Sequence, residues 1–195
     1  DLTSYSVLVF ESLGLSRDGW QKLAQFIGSG KGVLIFADPK LSPNELRQNF
    51  ASIGLVGTLE QKTFTENNLA SITFLDKSHP LFLGVYKPTE GKRTESFEGP
   101  SVRTALFLNA GATLIQTNGG PLLDEIKIEG GRIIYCALPP TLEWSNFPLT
   151  SLFPILVYRS LMYLSALQDL NFFVNCGNSI TVDIPKSIGS GNLFK

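Results

Sequence analysis

Two apolar, β-branched runs, each followed closely by a helical pattern, constrain this chain more than any other feature. The first is "SVLVFESL" followed by "SRDGWQKLAQFIGSG". Trp20, Leu23, Ala24 and Ile27 recur there at helical spacing, with Ser16 placed as an N-cap and Gly28 at the stop. The second is "GVLIFA" followed by "SPNELRQNFASIGL", in which Pro43 takes the first helical position and Leu46, Phe50 and Ile53 share a face. Uninterrupted apolar strands alternating with helices predict a parallel sheet buried on both sides, with Val7, Val9, Val33, Ile35, Ile134 and Tyr135 in or beside its strands.

Downstream the pattern changes. From Thr58 to about Lys92 the chain is polar and turn-rich, and "DKSHPLF" and "YKPTEGK" read as loops. "SVRTALFL", "ATLIQT", "LLDEIKIEGG" and "RIIYCALP" then read as strands, several of them antiparallel. Glu129, Gly130 and Gly131 signal a hairpin, because glycine supplies the positive φ of a tight turn. "SLFPILVYRSLMYLSAL", Ser151 to Leu167, is the most apolar stretch. It is short for a membrane span and carries Arg159, so a helix docked on the sheet is expected. Residues 1–167 form the predicted α/β domain, and residues 168–195 read as further strands or the start of a following domain.

Composition excludes some functions. Sixteen Lys and Arg against seventeen Asp and Glu leave a formal charge of −1, so no overall positive field draws nucleic acid. Cys136 and Cys176 make no C-x-x-C pair, and neither a metal site nor a disulfide framework is indicated. No signal peptide is visible at the start of the sequence.

The opening "YSVLVFESL", "GSGKGVLIFADP", the "SHPLF" loop, and "GGPLLDEIKIEGGRIIYCALPPTLEWSNFPL" with the helix after it together resemble the class I glutamine amidotransferase-like domain. The version most similar is embedded in membrane-anchored bacterial proteins of the Bat-type (aerotolerance-related) group, often beside a von Willebrand factor A domain. The resemblance runs from about Asp1 to Leu167. It implies a flavodoxin-like three-layer sandwich with a mainly parallel sheet and added antiparallel strands. It also implies a parent protein held at a bacterial membrane through flanking segments.

In active members of that family, a cysteine on a sharp elbow after the second of these strands attacks the glutamine amide. Laid over this sequence, the cysteine position falls on Ala37, with Asp38 and Pro39 following. The family's base belongs after "RIIYCAL", where Pro139 and Pro140 provide no imidazole. Both groups are degenerate. The expectation is a pseudoenzyme: a non-catalytic interaction or ligand-sensing domain that needs no cofactor and partners another protein or other domains of its own chain. The alternative is a divergent amidotransferase or hydrolase with a relocated nucleophile.

The remaining polar residues offer weaker candidates. Glu11 and Asp38 follow neighbouring strands and would share an acidic ligand cleft, although Asp before Pro also builds turns. His79, the only histidine, precedes Pro80 in a loop and suits a solvated or capping role. Cys136 lies in an apolar strand, where burial would leave its thiol protonated. Gly119 and Gly120 suit a turn better than an anion cradle. Trp144 and Phe147 either close over the core or form an interface. The mixed-charge loop carrying Lys87, Glu90, Lys92, Arg93 and Glu95 reads as solvated surface or a partner-binding segment.

Overall fold

A computed structural model of the chain describes residues 2–65, 71–85, 99–128 and 130–166. The mixed-charge loop from Lys87 to Glu95, Cys176 and the whole of 168–195 lie outside the described residues.

The first β-α unit forms as its pattern requires. Strand β1 (Val7–Phe10) leads to helix α1 (Arg17–Gly28), capped by the Ser16 hydroxyl, which accepts a hydrogen bond from the Gly19 N–H at 3.2 Å. Strand β2 (Gly32–Phe36) is buried throughout, and α2 (Pro43–Ser52) follows with proline in its first turn. Then come β3 (Thr58–Thr63), β4 (Ile72–Leu75), β5 (Thr104–Asn109), β6 (Ala112–Thr117), β7 (Pro121–Ile128), β8 (Gly131–Cys136) and α3 (Leu152–Ser165). Helix α3 is the docked helix expected from its composition, and among the described residues no helix is long and apolar enough to cross a membrane.

Six strands form one mixed sheet in the order β1-β2-β8-β7-β6-β4. The β1, β2 and β8 ladders are parallel, as expected for the N-terminal half, while β8-β7, β7-β6 and β6-β4 pair antiparallel. The β7–β8 hairpin closes with Ile128 opposite Gly131 and a left-handed Gly130 at φ 89°. Strands β3 and β5 pair antiparallel as a second, two-stranded sheet.

Within the polar, turn-rich stretch from Thr58 to about Lys92, two segments outside the expected loops form strands β3 and β4. In β3 only Leu59 is buried, so the segment shows the polarity of a loop while its backbone is satisfied by β5.

Helices cover both faces of the sheet. Phe36 packs on Phe153 of α3 with ring centroids 6.1 Å apart, and a Cβ on Gly32 would lie 2.6 Å from the Cβ of Leu164. Helix α3 therefore runs antiparallel to β2 over the face presented by Gly32, Leu34 and Phe36. On the other face Tyr135 meets Phe50 of α2 edge to face at 6.2 Å, and Phe50 meets Trp20 of α1 at 5.9 Å. The Tyr135 hydroxyl donates to the Leu106 carbonyl at 2.8 Å, which ties β5 to that same face. One continuous apolar core runs through these layers.

Candidate functional site

In an open α/β sheet, ligands and reactive groups sit beyond the carboxyl ends of parallel strands. Here that edge is built by the segments following β1, β2 and β8.

After β2 the chain makes no exposed elbow. Ala37 is 1% exposed, and its N–H donates to the Cys136 carbonyl at 2.8 Å, extending the β2–β8 ladder one residue past the strand. Asp38 then turns the chain: one carboxylate oxygen accepts from the Lys40 N–H at 2.9 Å, and the other accepts from the Ser12 hydroxyl at 2.8 Å. The loops after β1 and β2 are thus joined through Ser12, a residue the sequence did not single out. Glu11 is exposed at the same edge. One oxygen of Asp38 thus serves its own turn and the other the link to Ser12 in the loop after β1. Among the described residues no group of three or more His, Cys, Asp or Glu side chains is arranged to hold a metal.

After β8, Pro139 is buried and Pro140 half-buried. The following loop is held by Arg103, whose N–H donates to the Trp144 carbonyl at 2.8 Å. Lys40 reaches across to Glu143 at 2.9 Å and lies 5.8 Å from the centre of the Trp144 ring. The hydrogen bond and charge of Glu143 raise the Lys40 pKa. The mouth between β2 and β8 is therefore bridged by an ion pair over an aromatic ring. Phe147, proposed with Trp144 as an interface, is fully buried against Phe153 and belongs to the core; Trp144 remains half-buried. Two concavities adjoin this edge: one lined by Leu13, Leu15, Leu41 and Leu46 measures about 190 Å³, and one lined by Arg103, Leu142, Ser145 and Asn146 after β8 measures about 440 Å³. Pockets for small organic ligands usually exceed about 300 Å³.

Cys136 is fully buried, and that burial pushes its thiol up to about 12. It is protonated at neutral pH and unable to act as a nucleophile. Gly119 and Gly120 form a turn closed on the Thr117 hydroxyl, which accepts from both of their N–H groups, so neither is offered to an anion.

His79 occupies a different place, on the α3 face of the sheet. It is not solvated. Its Nδ1 accepts from the Leu81 N–H at 3.2 Å, and its Nε2 lies 3.4 Å from Glu125 Oε2. The hydroxyl of Tyr163 donates to the other oxygen of Glu125, and the guanidinium of Arg132 lies 5.0 Å from the Tyr163 ring centre. Burial alone would raise the Glu125 carboxyl, but hydrogen bonds from His79 and Tyr163, with Lys127 nearby, hold it below its ordinary value. Burial and the bond to Glu125 raise the Tyr163 hydroxyl. Both imidazole nitrogens are engaged, so His79 caps a loop and is not poised to take a proton from a substrate. The sequence places His79, Glu125 and Tyr163 far apart, and only the fold brings them together.

No protein-family model matches the sequence, and no curated protein matches it either. Solved structures do share the fold. Cytoplasmic protein STM3548 from Salmonella typhimurium superposes with a TM-score of 0.63 at 12% identity, covering 84% of this chain and 73% of that one. Cytoplasmic protein STM1381 from Salmonella typhimurium LT2 gives 0.60 at 15% identity over 84% and 73%. A putative ThuA-like protein from Parabacteroides merdae gives 0.52 at 14% identity, covering 85% of this chain and 72% of that one. At these identities the likeness is one of α/β fold alone.

Proposed function

We propose that this chain is a non-catalytic interaction or ligand-sensing domain, of class I glutamine amidotransferase-like descent and flavodoxin-like three-layer architecture, within a larger membrane-anchored bacterial protein. The observation that carries this reading is Ala37. At the position where the family's nucleophile belongs, the side chain is a buried methyl and the backbone continues the sheet ladder. Two further features support it: the exposed Lys40–Glu143 ion pair that bridges the mouth between β2 and β8, and a base region of prolines without an imidazole. A relocated nucleophile finds no support at Cys136, which is enclosed and protonated.

The test is glutamine hydrolysis by the purified chain, followed as ammonia release. The expected result is no release above buffer. Release that disappears on Cys136→Ser or His79→Ala would replace this reading with that of a divergent hydrolase. Membrane attachment is tested separately, by looking for apolar spans of about twenty residues in the parent sequence on either side of this domain.

A further inference from the structure

Helices α1 and α2 share one face of the sheet and meet through their inward rings, Trp20 edge to face with Phe50. Above that contact they part, leaving a groove of about 870 Å³. It continues into the 190 Å³ concavity at the carboxyl edge, since Leu15, Glu45 and Asn49 line both. Its volume lies within the roughly 300–1,000 Å³ of small-ligand sites. Both walls belong to residues 2–65, a stretch described without a break.

The walls carry polar side chains that the fold leaves unused. Arg17, Gln21 and Gln25 follow one another at four-residue steps along α1, and Glu45 and Asn49 do so along α2, so each row stacks on one flank. The ion pair of Lys22 with Asp18 stays within α1, and among the described residues no hydrogen bond or ion pair joins the two helices. Arg17 and Glu45 both sit in the first turn of their helices, at the same end of the groove, yet they do not pair. A cation in a first turn opposes the helix dipole, so Arg17 does not serve the stability of α1. The floor is Trp20, 4% exposed, whose enclosed indole N–H has no acceptor although a buried indole ordinarily finds one.

We propose that the groove between α1 and α2 binds a small zwitterionic peptide of dipeptide size, its carboxylate on Arg17 and its ammonium on Glu45. The lining selects this chemistry. One cation set against one anion leaves the groove neutral, which disfavours a polyanion such as a nucleotide. Trp20 exposes too little of its ring to stack on a sugar. An apolar ligand would bury the charges and amides without partners. A peptide unit, by contrast, offers an N–H and a C=O that match the acceptor and donors of the Gln21 and Asn49 amides, and Arg17 suits a carboxylate. Two residues extend over about 7 Å, short enough for both termini to be met at the end where Arg17 and Glu45 stand. The groove lies apart from the Lys40–Glu143 mouth, so this inference is independent of whether the domain is catalytic.

Titration of the full chain with glycyl-asparagine, followed by proton–nitrogen NMR, tests it. Saturable shifts should centre on the Trp20 indole N–H and the amides of α1 and α2, with a Kd on the order of 1 mM for a ligand of this size. On the unmodified chain, N-acetylglycyl-asparagine, which lacks the ammonium, and glycyl-asparagine amide, which lacks the carboxylate, should each bind about tenfold more weakly. Arg17→Gln should weaken the dipeptide while leaving the amide form unaffected, and Glu45→Gln should weaken it while leaving the acetylated form unaffected. Both positions are exposed, so these variants should keep the fold, which unchanged resonances elsewhere would verify. No saturable shift, shifts centred away from α1 and α2, equal binding of the capped forms, affinity indifferent to Arg17→Gln and Glu45→Gln, or an equal response to maltose would each overturn the proposal.

Discussion

Tyr163, in the last turn of α3, donates its hydroxyl hydrogen to Glu125 in the middle of β7, while His79 approaches the other oxygen of the same carboxylate from the loop after β4. A buried acid is stable only when its charge is met, and here two separate segments meet it. Tyr163→Phe should therefore destabilise the chain by about 2 kcal/mol, the usual worth of a hydrogen bond to a charged group. Urea denaturation with an unchanged slope would check this. A loss below the error of the measurement would mean that water replaces the hydroxyl.

The two neighbouring acids of β7 should give opposite pH dependences. Glu125 is held below its unfolded value of about 4.3. Its contribution to stability is present above that pH and lost as pH falls through the folded pKa. Asp124, 1% exposed on the opposite face, is raised by burial, with the Thr113 hydroxyl and the Ala110 and Gly111 amides partly opposing the rise. Its contribution is present below its unfolded value of about 3.9 and is lost as pH rises through the folded pKa. Urea midpoints across the acid range should show a shallower fall toward low pH for Glu125→Gln. For Asp124→Asn they should show relief of the loss that sets in as pH rises.

Gly32 should not tolerate a side chain. An added Cβ would lie 2.6 Å from the Cβ and 2.7 Å from the carbonyl oxygen of Leu164, and the backbone of α3 cannot step aside as a flexible side chain would. Gly32→Ala is expected to cost about 1–3 kcal/mol, as overpacking does. Thermal unfolding measures it, and an unchanged midpoint would mean that α3 shifts freely on the sheet.

A cysteine at position 37 should be out of reach. In a Cys136→Ser, Cys176→Ser background, Ala37→Cys should resist iodoacetamide in the folded state and label fully in urea, because position 37 is enclosed. Rapid labelling under native conditions would show that the turn after β2 opens.

The β-α units were legible because their signals are local. Ser16 caps α1, the helix ends at Gly28, and Leu46, Phe50 and Ile53 face inward as their spacing requires. Strand β3 was not legible, since "TLEQKT" buries one side chain and owes its form to hydrogen bonds with β5, which begins some forty residues later. The site divides in the same way. The buried state of Ala37 and the turn-forming use of Asp38 follow from a strand running into Asp-Pro. Ser12 as partner of Asp38, Glu143 as partner of Lys40, and the His79–Glu125–Tyr163 cluster depend on contacts across 26 to 103 residues, which periodicity does not report. Phe147 was ambiguous because an aromatic after a strand end suits core and interface equally, and only Phe153 decides between them.

The seating of Leu164 on the bare backbone of Gly32 also has a mechanical meaning. Helix α3 runs antiparallel to β2, and its last turn rests against the start of that strand, so the chain leaves the helix at a point fixed to the middle of the parallel ladder. Lifting the last turn of α3 would therefore uncover Gly32 at the start of β2, the strand that β1 and β8 flank, before any ladder hydrogen bond is disturbed.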